Sequence, residues 1–349
     1  MRIAGTGSAF PSHYYTQEEL GAALKNHWAP KVKNPEVLER VLSRVSVDGR
    51  YLSLPMVEYY GLDTWGKAND AWIRVATELG EKALCRALAR AGVQPTELDA
   101  IYFVSVTGIS SPSIDARLVN RMGLPARIKR IPIFGLGCVA GAAGISRAAD
   151  YVRGFPEHTA ALVSVELCSL TLQKEDLSMA NLISAGLFGD GAGAVVVTGA
   201  QRPAPGPEIL ATRSSFYSNT EDAMGWGVSE KGFHIVLSPL VPQIVLDHLA
   251  EDVDAFLAEQ GLKRSDIGGW IMHTGGPKVL EATATALDLP REALDASWEC
   301  LRKVGNLSSA SVLLVLDEFM YRRRPKEGTL SILAAMGPGF CAELVLLRW

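Results

Sequence analysis

The feature that most constrains how this chain folds is a weak internal duplication. Segments of the first half resemble segments of the second half in composition and in order, which is the mark of a repeated structural unit. The matched pairs are residues 2–10 with 208–216, 96–108 with 264–276, 134–152 with 303–320, and 161–168 and 193–199 with 330–339 and 342–349. We therefore expect two related units that bring equivalent turns to a shared cleft.

The matched segments have the pattern of buried strands joined by helices. Residues 101–106 form a continuous apolar run, and such runs indicate strands that are buried on both faces. Residues 77–92 and 243–261 have apolar side chains at helical spacing, and each segment ends at a glycine. We predict an α/β fold, an α-β-α-β-α layered sandwich, with one half at residues 1–200 and the other at 201–349.

Composition argues against several classes of protein. The net charge is -4 and the basic residues are scattered, so nothing favours nucleic-acid binding. No apolar run approaches the length of a membrane span, and the N-terminus lacks the apolar stretch of a signal peptide. The five cysteines form no CxxC motif and no cluster with metal-ligand spacing. We expect a cytoplasmic protein with reduced thiols and no metal centre.

Cys138 differs from the other cysteines in its surroundings. It follows Gly135-Leu136-Gly137 and precedes a segment of small residues, so it would open a helix after a sharp turn. The first N–H groups of that helix would favour a thiolate and lower the pKa of Cys138. The alternative is a buried, inert cysteine, which is the usual state of a free thiol. The remaining cysteines lack such a turn and are assigned to the core or to a cavity wall: Cys85, Cys168, Cys300 and Cys341.

The duplication gives Cys138 two partners in the second half. His273 ends a buried strand, before a Thr-Gly-Gly-Pro turn, and Asn306 takes the place of Cys138 at the opening of the equivalent helix. Alone, His273 would be a core histidine and Asn306 an N-cap. Together they predict a thiolate paired with an imidazole, and two hydrogen-bond donors for an oxyanion. Because a carboxamide cannot act as a base, the set favours decarboxylation of a malonyl thioester, which leaves an enolate.

With these residues in place, the chain resembles the type III polyketide synthases, relatives of chalcone synthase, in their bacterial branch. The resemblance covers nearly the whole chain. Its motifs are Gly137-Cys138-Val139-Ala140-Gly141, Leu187-Phe188-Gly189-Asp190-Gly191, Gly232-Phe233-His234, residues 270–277 around His273, Gly305-Asn306-Leu307-Ser308-Ser309-Ala310 and Gly337-Pro338-Gly339.

This resemblance implies a thiolase-like fold and a homodimer that uses coenzyme A thioesters, with no acyl carrier protein, metal or organic cofactor. Cys138 would accept the starter acyl group. His273 and Asn306 would then decarboxylate malonyl-CoA and hold the enolate through repeated extension.

The resemblance also assigns residues around the site. Phe188 and Phe233 correspond to two gating phenylalanines between the CoA tunnel and the cavity. Thr107 and Cys168 correspond to positions that line an acyl tunnel in bacterial members with fatty acyl starters. Met336 falls where the motif differs from that of plant members, and it would alter the cavity floor.

Contacts with CoA and between subunits follow from the same resemblance. Arg40 and Arg44, at i, i+4 spacing, correspond to basic contacts with the CoA phosphates, and Ser308 is assigned to the same substrate. The alternative for both arginines is a solvated helix face. Ser111 falls where a methionine of other members reaches the partner's cavity.

The small side chains of Thr107 and Cys168 would leave room for an alkyl chain. Our hypothesis is therefore that a medium- or long-chain acyl-CoA is converted to an alkyl α-pyrone or a resorcinol. The alternatives are a β-ketoacyl-ACP synthase III-like enzyme, which performs one condensation, and an inactive thiolase-fold partner subunit. A thiolase would be expected to have a second catalytic cysteine, for which Cys341 is the candidate.

Overall fold

A computed structural model describes residues 1–31 and 36–349 as an alternation of strands and helices. The strands are β1 (Arg2–Ala9), β2 (His13–Thr16), β3 (Gly49–Leu52), β4 (Ala100–Val104), β5 (Lys129–Ile133), β6 (Thr159–Leu167), β7 (Asp190–Thr198), β8 (Glu208–Phe216), β9 (Met224–Ser229), β10 (Gly232–Leu237), β11 (Ile267–Met272), β12 (Leu330–Gly337) and β13 (Cys341–Arg348). The α-helices are α1 (Gln17–Trp28), α2 (Glu36–Ser43), α3 (Trp65–Ala91), α4 (Ile114–Met122), α5 (Ala140–Gly154), α6 (Met179–Leu187), α7 (Val241–Ala258), α8 (Pro277–Leu287), α9 (Asp295–Val304) and α10 (Ser311–Tyr321).

The largest sheet contains the duplication. Its strand order is β11-β12-β13-β8-β1-β7-β6-β4-β5. Outward from the centre, the set β1-β7-β6-β4 matches the set β8-β13-β12-β11, and in each set only the outermost pair is parallel. The two sets meet where Arg2 pairs with Glu208. The strand order therefore confirms the duplicated α/β fold, while the division at residue 200 stays a prediction.

Helices cover both sets of strands and also separate them. On β6, Ala160 and Leu162 face α5 and α10, whereas Ala161 and Val163 face α3 and α4. On the second set, α7 and α8 cover the outer face. The strands β4, β6 and β7 thus bury both of their faces, which explains the continuous apolar runs. The order of layers is the predicted α-β-α-β-α, and α5 and α10 form the central layer.

Some helix boundaries differ from the prediction. The segment 77–92 is the C-terminal part of the longer helix α3, which begins at Trp65 because the Thr64 side chain caps it by accepting from the Lys67 backbone N–H. Gly92 ends this helix with a left-handed φ of 67°, as predicted. Within the described residues, no helix combines the length and apolar character needed to span a bilayer.

Candidate active site

Cys138 lies in a 3₁₀ turn at one end of the central layer. The turn, Gly137–Val139, comes directly before α5, and Gly137 has a left-handed φ of 57°. A Cβ on Gly137 would lie 2.7 Å from the ring of Pro338, which belongs to the Gly-Pro-Gly motif. Glycine is therefore required at this position both by the backbone conformation and by the lack of space. The Cys138 side chain is buried in this turn.

The start of α5 touches the turn that precedes α10. A Cβ on Gly141 would lie 2.2 Å from the carbonyl oxygen of Ser309, so only glycine permits this approach. The second turn, Ser308–Ala310, is thereby held against the first. As a result, the thiol of Cys138 donates to the hydroxyl oxygen of Ser308 across 3.5 Å. The small side chains that follow Cys138 in the sequence therefore allow close backbone packing at Gly141.

Asn306 is fixed by hydrogen bonds to its oxygen and to its backbone. Its Oδ1 accepts from the backbone N–H of Ser308 at 2.7 Å and from the hydroxyl of Ser311 at 3.3 Å. Its backbone N–H donates to Leu187, and its carbonyl oxygen accepts from the Gly189 N–H, both at 2.9 Å. Because the carboxamide oxygen is occupied, the amide N–H donors are the part of this side chain left for a ligand.

His273 follows β11 and is buried. Its backbone N–H donates to Ala334 on the neighbouring strand at 3.0 Å, which anchors it to the sheet. The Nδ1 atom of the ring has no hydrogen-bond partner among the described residues, and neither has the buried hydroxyl of Thr274. Unpaired buried polar atoms are costly, and they are found where a protein awaits a ligand or a water molecule.

The sequence predicted a preformed thiolate–imidazolium pair, and burial in this structure opposes both of its charged forms. Burial raises the pKa of Cys138 to about 12, with the Ser308 hydrogen bond opposing this rise and the Glu166 carboxylate adding to it. Burial also lowers the pKa of His273 to about 4. Both groups are therefore neutral at pH 7, because removal from water disfavours each charged form. A thiolate then arises only when a proton leaves Cys138 during the reaction.

Glu166 is a buried residue of this site that the sequence reasoning missed. One carboxylate oxygen accepts from the Thr107 hydroxyl at 2.9 Å and from the Val106 N–H at 3.2 Å, and the other accepts from the Ser309 hydroxyl. Burial raises the pKa of Glu166 to about 7 despite these hydrogen bonds. A glutamate within the apolar run of β6 was the available signal, since a carboxyl group buried in a sheet needs polar partners.

Phe188 and Cys168 line one cavity beside the site. This side cavity, of about 110 Å³, lies between α1, α6 and the β9–β10 hairpin, and Arg50 and Trp226 also line it. Phe188 ends α6 and pairs through its backbone with Asn306. Cys168 is close enough to Cys138 for the charge of one thiolate to raise the pKa of the other. The side cavity therefore lies next to Asn306, through Phe188, and within electrostatic range of Cys138, which does not itself line it.

Phe233 and Thr107 line a second, more open cleft of about 630 Å³. Phe233 lies on β10 among other aromatic rings. Its ring centroid is 5.8 Å from that of Trp65, 6.2 Å from that of Phe134 and 6.1 Å from that of Trp226. The two predicted gating phenylalanines thus line neighbouring cavities that share wall residues such as Tyr59 and Ser169.

The remaining predicted residues are dispersed. Arg40 and Arg44 are exposed at the end of α2, away from the buried site. Ser308 contacts the nucleophile Cys138, so any contact between Ser308 and a CoA substrate falls at the thioester end of that substrate. Met336 packs with Phe340 and lines neither cavity. The role of each in substrate binding stays a prediction. Ser111, which stands where other members have the methionine that reaches the partner's cavity, is exposed.

Models of the N-terminal and C-terminal domains of chalcone and stilbene synthases match residues 2–202 and 208–349. The chain is a type III polyketide synthase. It is 49% identical to 1,3,6,8-tetrahydroxynaphthalene synthase of Streptomyces peucetius subsp. caesius, over 99% of this chain and 93% of that protein. It is 32% identical to phloroglucinol synthase of Pseudomonas fluorescens, over 97% of both chains. The crystal structure of 1,3,6,8-tetrahydroxynaphthalene synthase from Streptomyces coelicolor superimposes with a TM-score of 0.96 at 32% identity, covering 100% of this chain and 99% of that one.

Membership of this family gives the fold and the reaction class together. The type III polyketide synthase has a thiolase-like α/β fold, in which a mixed sheet is flanked by helices. It is an acyltransferase that joins acyl units by decarboxylative condensation. The predictions of family, fold class and enzyme class made from the motifs are therefore confirmed.

Proposed function

We propose that this type III polyketide synthase uses malonyl-CoA both to start and to extend the chain, and that it releases a polyhydroxylated aromatic. The observation that carries the proposal is the 49% identity, over nearly the whole chain, to a 1,3,6,8-tetrahydroxynaphthalene synthase. The naphthalene skeleton of that compound can be assembled entirely from the two-carbon units that malonyl-CoA supplies after it loses carbon dioxide.

In this proposal Cys138 carries the growing chain. Its Sγ attacks the thioester carbonyl, the bond to the CoA sulfur breaks, and the thiol proton passes to neutral His273 and then to the departing CoA. The imidazole can accept this proton because burial keeps it neutral at pH 7. Ser308 holds the thiol in place through the contact of 3.5 Å.

His273 and Asn306 supply the donors for decarboxylation. When the malonyl carboxylate leaves as carbon dioxide, its electron pair moves into the thioester and forms an enolate oxyanion. An imidazole N–H and the free amide N–H groups of Asn306 would stabilise that oxyanion. Phe188 and Phe233 would exclude water from the carboxylate and so favour its loss.

The purified enzyme given malonyl-CoA alone tests this function. We expect an aromatic product, detected by its ultraviolet spectrum and mass, with release of carbon dioxide and CoA. Addition of an acyl carrier protein should have no effect on product formation. The alternative β-ketoacyl-ACP synthase III-like reaction would require that protein. A product formed only when a second acyl-CoA is present would rule out malonyl priming.

A second candidate product class is the alkyl α-pyrones or resorcinols. It is favoured by the side cavity, whose walls near Cys168 are largely apolar, including Leu24, Trp28 and Ile235. An alkyl chain on Cys138 could extend into this space. Hexanoyl-CoA and longer acyl-CoA starters, tested against malonyl-CoA alone, separate the two candidates by the mass of the product.

The proposal includes a homodimer in the cytoplasm that requires no metal or organic cofactor. It also assigns the CoA phosphates to the exposed Arg40 and Arg44. Replacing both with alanine should raise KM for malonyl-CoA a few-fold at unchanged kcat, since an exposed ion pair contributes about 0.2–1 kcal/mol. Light scattering would give the oligomeric state, and assays in EDTA would reveal any need for a metal.

A further inference from the structure

Arg50, on β3, is buried and has few partners. Only 3% of the residue is exposed. One guanidinium nitrogen donates to the carbonyl oxygen of Phe188 at 2.6 Å, whereas Nε has no partner among the described residues. A buried charge is normally neutralised by a paired group, so this guanidinium lacks the counter-ion that its position requires.

The nearest acidic side chain cannot fill that role. Burial lowers the pKa of Arg50 to about 10, and Asp190 is the main charge that opposes this fall, yet the two form no ion pair in the described chain. The carboxylate of Asp190 is already occupied by the backbone N–H groups and the hydroxyls of Ser53 and Ser169. It makes no hydrogen bond with Arg50 in the described chain.

The position of Arg50 links its charge to the catalytic residues. It lines the side cavity together with Cys168 and Phe188. Its stem passes beside Gly305, where a Cβ would lie 3.7 Å from the Arg50 Cδ, and Gly305 immediately precedes Asn306. The wall of the side cavity thus includes a buried cation, and its wall residue Phe188 pairs through its backbone with Asn306.

We propose that the side cavity binds the carboxylate at the far end of an acyl group held on Cys138, with the Arg50 guanidinium as its counter-ion. A chain started from malonyl-CoA keeps such a carboxylate, so this inference rests on the proposed malonyl priming and identifies the residue that selects it. Arg50 is a specificity residue here, since a neutral starter would leave its donors unused.

Acyl transfer from two CoA esters that differ only at the far end tests this role. Succinyl-CoA ends in a carboxylate, whereas butyryl-CoA ends in a methyl group, and neither undergoes decarboxylation. In single-turnover mixtures without malonyl-CoA, the mass of the intact protein reports acylation of Cys138. We expect faster acylation by succinyl-CoA than by butyryl-CoA, and no such preference in the wild type would overturn the proposal.

Arg50→Gln should lower the succinyl rate about tenfold or more, because a hydrogen bond to a charged group contributes that much, and should leave the butyryl rate within about twofold. Arg50→Lys should recover part of the succinyl rate. Lys174→Gln is the matched control, since its Nζ lies at the same cavity but already donates to the carbonyl oxygens of Tyr59 and Leu62. An equal fall in both rates for Arg50→Gln would mean that the guanidinium merely holds Phe188.

Met56→Glu provides a second test of the carboxylate site if the Arg50 variants do not fold. Met56 also lines the side cavity, so a carboxylate there should occupy Arg50 and remove the succinyl preference, while Met56→Gln keeps it. Persistence of the preference in Met56→Glu would contradict the proposal. The product assay with malonyl-CoA alone is an independent test. If it yields no aromatic product while the preference for succinyl-CoA holds, the proposal of malonyl priming is wrong and the proposal of the carboxylate site stands.

Discussion

The two turns that meet in the active site have the same backbone plan and different chemistry. Each is a 3₁₀ turn that leads into a helix of the central layer, Gly137–Val139 before α5 and Ser308–Ala310 before α10. Matched by where turn and helix begin, Cys138 corresponds to Ser309, and not to Asn306 as the sequence alignment proposed. The first turn presents a nucleophile, whereas the equivalent hydroxyl of the second donates to Glu166.

This difference shows that the two halves of the duplicated fold supply different functional groups to the active site. Asn306 comes from the loop before the second turn, and it reaches the site because Gly189 and Leu187 bind its backbone. One half therefore carries the acyl group, and the other carries the donors for the enolate. The predictions below test that division, and they begin with the largest expected effect.

Cys138→Ala should abolish acylation of the protein while leaving decarboxylation of malonyl-CoA measurable, because the donors are in the other half. Intact mass spectrometry measures the first activity, and release of labelled carbon dioxide measures the second. Loss of both activities in a folded variant would contradict the division. Continued acylation would point to another thiol, of which Cys168 is the nearest candidate. It would also exclude the alternative that the chain is an inactive partner subunit.

Asn306→Asp should have the reverse effect. The substitution keeps the oxygen that accepts from Ser308 but replaces the amide donors with a carboxylate, so decarboxylation should fall by about 10²–10³, as on removal of an oxyanion donor. Acylation of Cys138 should persist. An equal loss of both activities would show that Asn306 shapes the nucleophile's turn as well.

Glu166→Gln should change how stability depends on pH. The folded pKa of Glu166 is raised from 4.5 to about 7, so its contribution is fully present at low pH and is lost as the pH rises through that window. His273, lowered from 6.5 to about 4, has the opposite slope and remains in the variant. The variant should therefore gain up to about 3 kcal/mol on the wild type between pH 4.5 and 7 in urea titrations. Parallel stability curves would refute the raised pKa.

Gly141→Ala should separate the two turns. The new methyl group would meet the Ser309 carbonyl at 2.2 Å, and we expect a loss of about 1–3 kcal/mol together with slower acylation. Gly154→Ala, at the end of the same helix, meets nothing within 4 Å and is the matched control. Equal melting temperatures for both variants would mean that the contact between the turns is not tight.

The sequence was most informative where one residue type had to satisfy a backbone requirement. The glycines before Cys138 and the apolar strands indicated the turn and the layers without any knowledge of distant contacts. The start of α3 was missed because Trp65, Gly66 and the polar residues after them weaken the helical pattern, whereas the cap at Thr64 decides it.

What the sequence could not give arises from contacts between distant residues. The neutral states of Cys138 and His273 follow from burial, which only the packed site creates. The partners of Glu166 come from the loop after β4 and from the turn before α10. That Nε of Arg50 has no partner among the described residues is evident only when the residues around it are placed. None of these relations leaves a pattern in the local sequence.

The contact between Gly141 and Ser309 joins two segments that the ribosome synthesises at different times. Cys138 leaves the ribosome well before the residues that cover it, namely Ser308, Ser309 and Pro338. In that interval the thiol is open to water, with the ordinary acidity of a free cysteine, and oxidants and electrophiles of the cell can reach it. Folding of the completed chain therefore buries this sulfur and protects it from oxidants and electrophiles, and the same step forms the active site in which it acts.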